Sequence, residues 1–209
     1  MENVLVAGAN GTTGKKIVNL LKASQYFNPV AMVRKEEQQE QFIKENITTV
    51  LGDLEKDLSH TVENIDKVIF AAGSGGKKVI AVDQEGAKNL MNASKKANIK
   101  KFVMLSSMGA DNPKASEKLQ EYLEAKHNAD EYLKSSDLTY SIVRPGSLTN
   151  DGGTGKIKLK SKMEEQGSIT RDDVAQTLVS SLHDDAAINQ TFEIIQGDTL
   201  IDKAMDNIA

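Results

Sequence analysis

The chain of 209 residues suits a single domain around one sizeable core, and its 39% hydrophobic share, which omits 15 glycines, is that of a globular protein and not a disordered one. Thirty acidic residues against 26 basic ones give a net charge of −4 with no long single-sign block, so nucleic acid is not expected as a direct partner. Cysteine is absent, which excludes disulfides, thiolate nucleophiles and cysteine-held metals and fits a reducing compartment.

From Met1 the chain runs into a strand-like segment with no basic leader, and no apolar run approaches the roughly 20 residues of a membrane helix, so a cytoplasmic protein without a membrane partner is expected. The first strand is predicted over Asn3 to Ala7. Gly8, Gly11 and Gly14 follow it and open an amphipathic helix on which Gly14, Ile17, Val18 and Leu21 share a face. Glycines between a strand and a helix permit a tight turn and let backbone N–H groups approach a pyrophosphate. Gly8, Asn10, Gly11, Thr12, Thr13 and Gly14 are therefore assigned to a dinucleotide cofactor. The alternative for such glycines is a tight turn in any α/β protein. A triphosphate loop fails twice, because position 9 is alanine and Lys15 is followed by Lys16 instead of a hydroxyl residue.

A second strand, Val30 to Val33, ends at Arg34, twenty positions after Gly14. An acid at that distance would take the ribose hydroxyls of NAD, whereas arginine suits the 2′-phosphate of NADP, so NADP is favoured over NAD. A solvated surface arginine is the alternative. Strands at Thr48 to Leu51 and Lys67 to Ala71 lead to Asp53 with Leu54, and to Ala71, Ala72 and Gly73. Both groups are placed at the carboxyl edge of the sheet, where ligands of open α/β folds bind. Asp53 either faces the adenine or caps a following helix. The cluster Gly73 to Gly76 before Lys77 also fails as a triphosphate loop, since position 71 is alanine and position 78 lysine.

Val82, Gly86, Leu90 and Ala93 mark another helix, Phe102 to Ser106 a strand, and Ser116 to Ser135 a long helix with Tyr122, Lys126, Ala129 and Leu133 on one stripe. Residues four apart are helical neighbours, so the Lys126 ammonium can lie near the Tyr122 phenol and favour its ionised form. A phenol with an ordinary pKa of about 10 needs such help to exchange protons near neutrality. It could then protonate a carbonyl oxygen as hydride arrives, with a serine hydroxyl orienting that oxygen. The alternative is a packed ring under a solvated ammonium.

Further strands are expected at Tyr140 to Val143 and Thr191 to Ile195. Gly152, Gly153 and Gly155 mark a loop between them, and Thr170 to Asp173 is a helix start. For Arg171, Asp172 and Asp173 an N-terminal cap is the favoured role. His60, His127 and His183 lack a metal-binding spacing, so no metal is expected, and no G-x-S-x-G hydrolase elbow occurs. The alternation of strands and helices predicts an α/β doubly wound parallel sheet in one domain, 1–209. Residues from about 147 to 209 complete its substrate side.

The segments AGANGTTG, AAG, FVMLSSMGAD, Tyr122-x-x-x-Lys126 and YSIVRPGSLT resemble, in order and spacing, the short-chain dehydrogenase/reductase superfamily. More narrowly, the chain is similar to its atypical, compact NmrA-like branch of NAD(P)-binding, epimerase/dehydratase-like proteins. The resemblance covers nearly the whole chain. It implies a Rossmann-type fold, Ser107 in preference to Ser106 as the catalytic serine beside Tyr122 and Lys126, and a cofactor wall that includes Ser106. It further implies Lys126 on the nicotinamide ribose, and Pro145 and Gly146 beside the nicotinamide. Position 7 is alanine where extended members often have threonine. The expected function is NADP-dependent hydride transfer to or from a small carbonyl or alcohol. A non-catalytic NADP sensor and a sugar epimerase or dehydratase stay open, as do monomer and homodimer.

Overall fold

A computed structural model describes residues 1–208. Its strands, in chain order, are β1 (Glu2–Ala7), β2 (Phe27–Val33), β3 (Thr48–Leu51), β4 (Lys67–Phe70), β5 (Lys101–Leu105), β6 (Tyr140–Pro145), β7 (Ser147–Thr149), β8 (Lys156–Lys160), β9 (Ser168–Thr170), β10 (Gln190–Gln196) and β11 (Thr199–Leu200). The α-helices are α1 (Thr12–Lys22), α2 (Glu36–Lys44), α3 (Gly86–Lys96), α4 (Gln120–Lys134), α5 (Arg171–Ser180) and α6 (Ile201–Asp206).

The main sheet runs β11-β8-β10-β6-β5-β4-β1-β2-β3. From β3 to β10 every neighbouring pair is parallel, and β8 alone runs against both of its neighbours. The strand order reverses between β1 and β4, and in open α/β sheets the carboxyl ends beside such a reversal are where ligands bind. Apolar residues of α1, α5 and α6, with Phe42 of α2, form the core on one face. Those of α3 and α4 form it on the other, so the sheet is covered on both sides.

The doubly wound expectation therefore holds for the parallel part, and β8 with β11 extends it. Strand β2 begins at Phe27, earlier than expected, because Pro29 pairs only with Val4 of β1 while β3 joins from Val30 onward. Pro29 thus needs no N–H on that side. The long helix begins at Gln120 and not at Ser116, since Ser116 is extended (φ −133°, ψ 97°) and separates short 3₁₀ turns at Pro113–Ala115 and Glu117–Leu119. Val82 lies in a π-helical stretch, Val79–Glu85, that runs into α3 at Gly86.

Candidate functional site

The three glycines have different duties. Gly8, at φ +87°, sits against β4's exit: a Cβ there would stand 2.6 Å from Ala72 N. On Gly14 a Cβ would stand 2.0 Å from Gly8 O, so this glycine lets α1 lie against its own loop. At Gly11 the nearest contact would be Gly8 O at 3.2 Å, and its surface is exposed. Two glycines serve the fold, and the third leaves the helix start bare.

Gly11 is the N-cap of α1, with no side-chain cap and no acid in the first turn. Lys15 is the first residue to close back, its N–H donating to Gly11 O at 2.9 Å. The N–H groups of Thr12, Thr13 and Gly14 therefore face outward from a positive helix end, which is the chemistry an anion takes. Ala71 and Ala72 continue β4 next to this loop, with Ala71 N donating to Ala7 O at 2.9 Å, and Gly73 beyond them is exposed. Asn10 is half-buried in the same loop. The residues present fit a pyrophosphate.

Arg34 is exposed at the carboxyl end of β2, and its guanidinium makes no hydrogen bond or ion pair among the described residues. Its backbone N–H donates to Gln38 Oε1 at 3.1 Å, which fixes the turn into α2. Asp53 accepts from Glu55 N at 3.1 Å and so closes a turn; no helix follows it directly. Leu54 is buried, and its carbonyl accepts from Asn89 Nδ2 at 3.0 Å.

Of the expected Tyr–Lys–Ser set, Tyr122 and Lys126 are neighbours on α4, and Ser107 lies two residues beyond the end of β5. Lys126 is 3% exposed and donates from Nζ to Leu105 O at 3.1 Å. That Nζ also lies 5.8 Å from the Tyr122 ring centroid and 6.0 Å from that of Phe70, so the ammonium rests between two aromatic faces. Tyr122 is half-buried, and its hydroxyl has no hydrogen-bond partner among the described residues.

Ser107 is half-buried and donates to Met108 O at 3.2 Å. Ser106, by contrast, is buried and donates from Oγ to Asp130 Oδ2 at 2.8 Å. Its N–H is taken by Val143 O at 2.8 Å, so neither donor of Ser106 is free for a cofactor. Met108 N donates to Pro145 O at 3.0 Å, which joins the Ser107 loop to the end of β6. Gly146 follows Pro145, and a Cβ on it would stand 2.2 Å from Gly167 O, so here too the bare backbone serves a chain crossing.

Outside the centre, His127 Nδ1 lies 2.9 Å from Ala110 O. Thr170 caps α5, its hydroxyl accepting from Asp173 N at 3.0 Å, while the Asp173 carboxylate gathers Thr154 N and Gly155 N from the glycine-rich loop. Lys16 of α1 is held to Asp172 of α5 at 2.8 Å. The sequence patterns do not single out Asp130 and Arg144, two buried charges beside the set. The signal available was an acid one helical turn beyond Lys126.

A profile of the family described as NAD(P)H-binding matches residues 8–185. A protein of Bacillus subtilis named an uncharacterized sugar epimerase, YhfK, is 38% identical over 98% of this chain and 99% of its own length. A solved structure from Bacillus halodurans, named provisionally an NAD-dependent epimerase/dehydratase, is 40% identical with a TM-score of 0.94, covering 99% of this chain and 100% of that one. The oxidoreductase YlbE of Lactococcus lactis is 30% identical with a TM-score of 0.90, covering 99% of this chain and 96% of its own. Among the described residues no helix is long and apolar enough to cross a membrane.

Proposed function

Because the chain belongs to the NAD(P)H-binding family, we propose that it is an NADP-dependent oxidoreductase that moves hydride between the cofactor and a small carbonyl or alcohol. The observation that carries this reading is the Tyr122 hydroxyl, unpartnered beside the buried Lys126 ammonium, at the sheet edge that also bears the glycine loop. The oxidoreductase naming of the Lactococcus relative agrees with it.

Bound nicotinamide would supply or accept the hydride. The chain's own part begins at the helix start, where the N–H groups of Thr12, Thr13 and Gly14 hold the pyrophosphate and Arg34 takes the 2′-phosphate. Lys126 binds the ribose and holds its ammonium against the Tyr122 ring, 5.8 Å from the centroid. Tyr122 then donates to the substrate oxygen, and Ser107 donates a hydrogen bond that orients it. Pro145 and Gly146 wall the nicotinamide on the β6 side.

The test is NADPH oxidation over a panel of small carbonyls by wild type and Tyr122→Phe. Loss of the Tyr122 hydroxyl is expected to lower kcat by about a hundredfold or more, and equal rates would remove Tyr122 from the chemistry. A second reading, sugar epimerisation, is favoured by the names of the two Bacillus relatives. It uses the same residues but returns the hydride to the substrate, so it would show product formed with no net consumption of NADPH.

A further inference from the structure

Asp130 is fully buried on α4, one turn beyond Lys126 and two turns beyond Tyr122. Its Oδ2 accepts from Ser106 Oγ at 2.8 Å, from Arg144 Nε at 2.9 Å and from Arg144 Nη2 at 2.8 Å. Its Oδ1 is buried with no hydrogen-bond partner among the described residues. Arg144 is itself 5% exposed. Burial pushes the Asp130 carboxyl up despite Arg144, Ser106 and Lys126, all of which act to lower it.

Such a cluster is a poor way to stabilise a core. Well-packed apolar side chains in place of a buried ion pair commonly leave a protein as stable or more so, and an orphaned carboxylate oxygen adds to the cost. What the cluster supplies is direction, because each hydrogen bond fixes an angle that apolar contact leaves free. Its members are the immediate neighbours of the proposed site: Ser106 precedes Ser107, Arg144 precedes Pro145, and Asp130 lies on the helix face of Lys126. The Ser106 contact is consequential because it fixes the chain where it leaves β5, immediately before Ser107. Helix α4 thus grips the end of β5 by polar contacts on two successive turns, Lys126 to Leu105 O and Asp130 to Ser106.

We propose that Asp130, through Ser106 and Arg144, is a positioning residue that sets Ser107, Tyr122 and Lys126 in register with one another, resting on the oxidoreductase reading of those three. Its role differs from theirs: it touches neither substrate nor cofactor. The variant that separates positioning from stability is the apolar triple Ser106→Ala, Asp130→Leu, Arg144→Met. It is expected to melt no lower than wild type and to bind NADPH within about threefold of it, while kcat falls by about tenfold or more. Asp130→Asn, which keeps an acceptor for Ser106, is expected to show a smaller loss of kcat at the same NADPH affinity. That single variant carries the test if the triple does not fold.

A readout that needs no turnover is the ¹⁹F resonance of Tyr122 in protein labelled with 3-fluorotyrosine, assigned by its disappearance in Tyr122→Phe. One narrow line that shifts on adding NADP is expected in wild type, and a broadened or split line in the variants. Wild-type kcat together with a narrow, NADP-responsive line in the folded variants would overturn the positioning role. Absence of carbonyl turnover in the wild-type chain would instead count against the oxidoreductase reading, and the ¹⁹F lines would still decide on Asp130.

Discussion

The two ends of the sheet treat their charges in opposite ways. At the amino end, Lys67 and Lys101 open neighbouring strands, are each 1% exposed, and are fully engaged. Lys67 Nζ meets Leu182 O at 2.8 Å, Glu2 at 2.7 Å and Asp184 at 2.6 Å, while Lys101 Nζ donates to His183 O at 2.8 Å and to Ala186 O. Lys100 ties Glu2 to Asp66, so burial, which alone would raise the Glu2 carboxyl, is outweighed by hydrogen bonds from Lys67 and Lys100. These groups catch the carbonyls that follow α5 and hold that helix to the sheet.

At the carboxyl end, the helix start after Gly11, the Arg34 guanidinium and the Tyr122 hydroxyl have no protein partner among the described residues. The amino-end lysines, satisfied within the chain, serve the fold. The groups left open at the carboxyl end are the ones the proposed cofactor and substrate would meet.

The sharpest way to break this contrast is within the glycine loop, where both duties meet. Gly14→Ala drives a Cβ into backbone at Gly8 and Ala9, and a loss of about 3 kcal/mol of stability together with NADPH binding is expected. Gly11→Ala meets only one atom, at 3.2 Å, so its melting temperature should stay close to wild type while NADPH affinity falls by about tenfold or more. Calorimetry and NADPH titration on the pair check this, and equal stability losses in both would erase the division of labour between the two glycines.

A smaller effect is expected at the amino end. Burial, with repulsion from Lys67, pushes the Lys101 ammonium down to about 8 from its ordinary 10.5. Between those values the unfolded chain binds more protons than the folded one, so this lysine's contribution to stability rises with pH across that window. Relative to Lys101→Met, the wild-type melting temperature should gain on the order of 2 °C from pH 8 to pH 10. Parallel pH curves for the two proteins would contradict the shift, and NADPH affinity should be equal in both.

Much of the parallel sheet was legible in the sequence because its buried strands are short apolar runs, such as Leu5–Val6 and Phe102–Met104, set between amphipathic stretches. Helix α2 escaped because only Phe42 is buried on it, so it carries no apolar stripe. Strand β8 does alternate, with Ile157 buried between exposed Lys156 and Lys158, but it is short, rich in lysine and follows directly on three glycines that mark a loop, so it carries no apolar run. In the candidate site, the proximity of Tyr122 and Lys126 was legible through their spacing. Asp130 and Arg144 were not, because a buried ion pair joins a helix to a strand across a distance in sequence that no period marks. Ser106 and Ser107 are adjacent just beyond β5, and only Ser106 meets Asp130, a contact that composition does not mark.

The central claim is that the open edge of the sheet is an NADP site read by Arg34. Fluorescence titration of wild type, Arg34→Ala and Lys100→Ala with NADPH and NADH tests it most directly. NADPH affinity is expected to fall by about tenfold to a hundredfold in Arg34→Ala with NADH little changed, and to hold in Lys100→Ala at the opposite end. Undiminished NADPH affinity in Arg34→Ala would contradict the account.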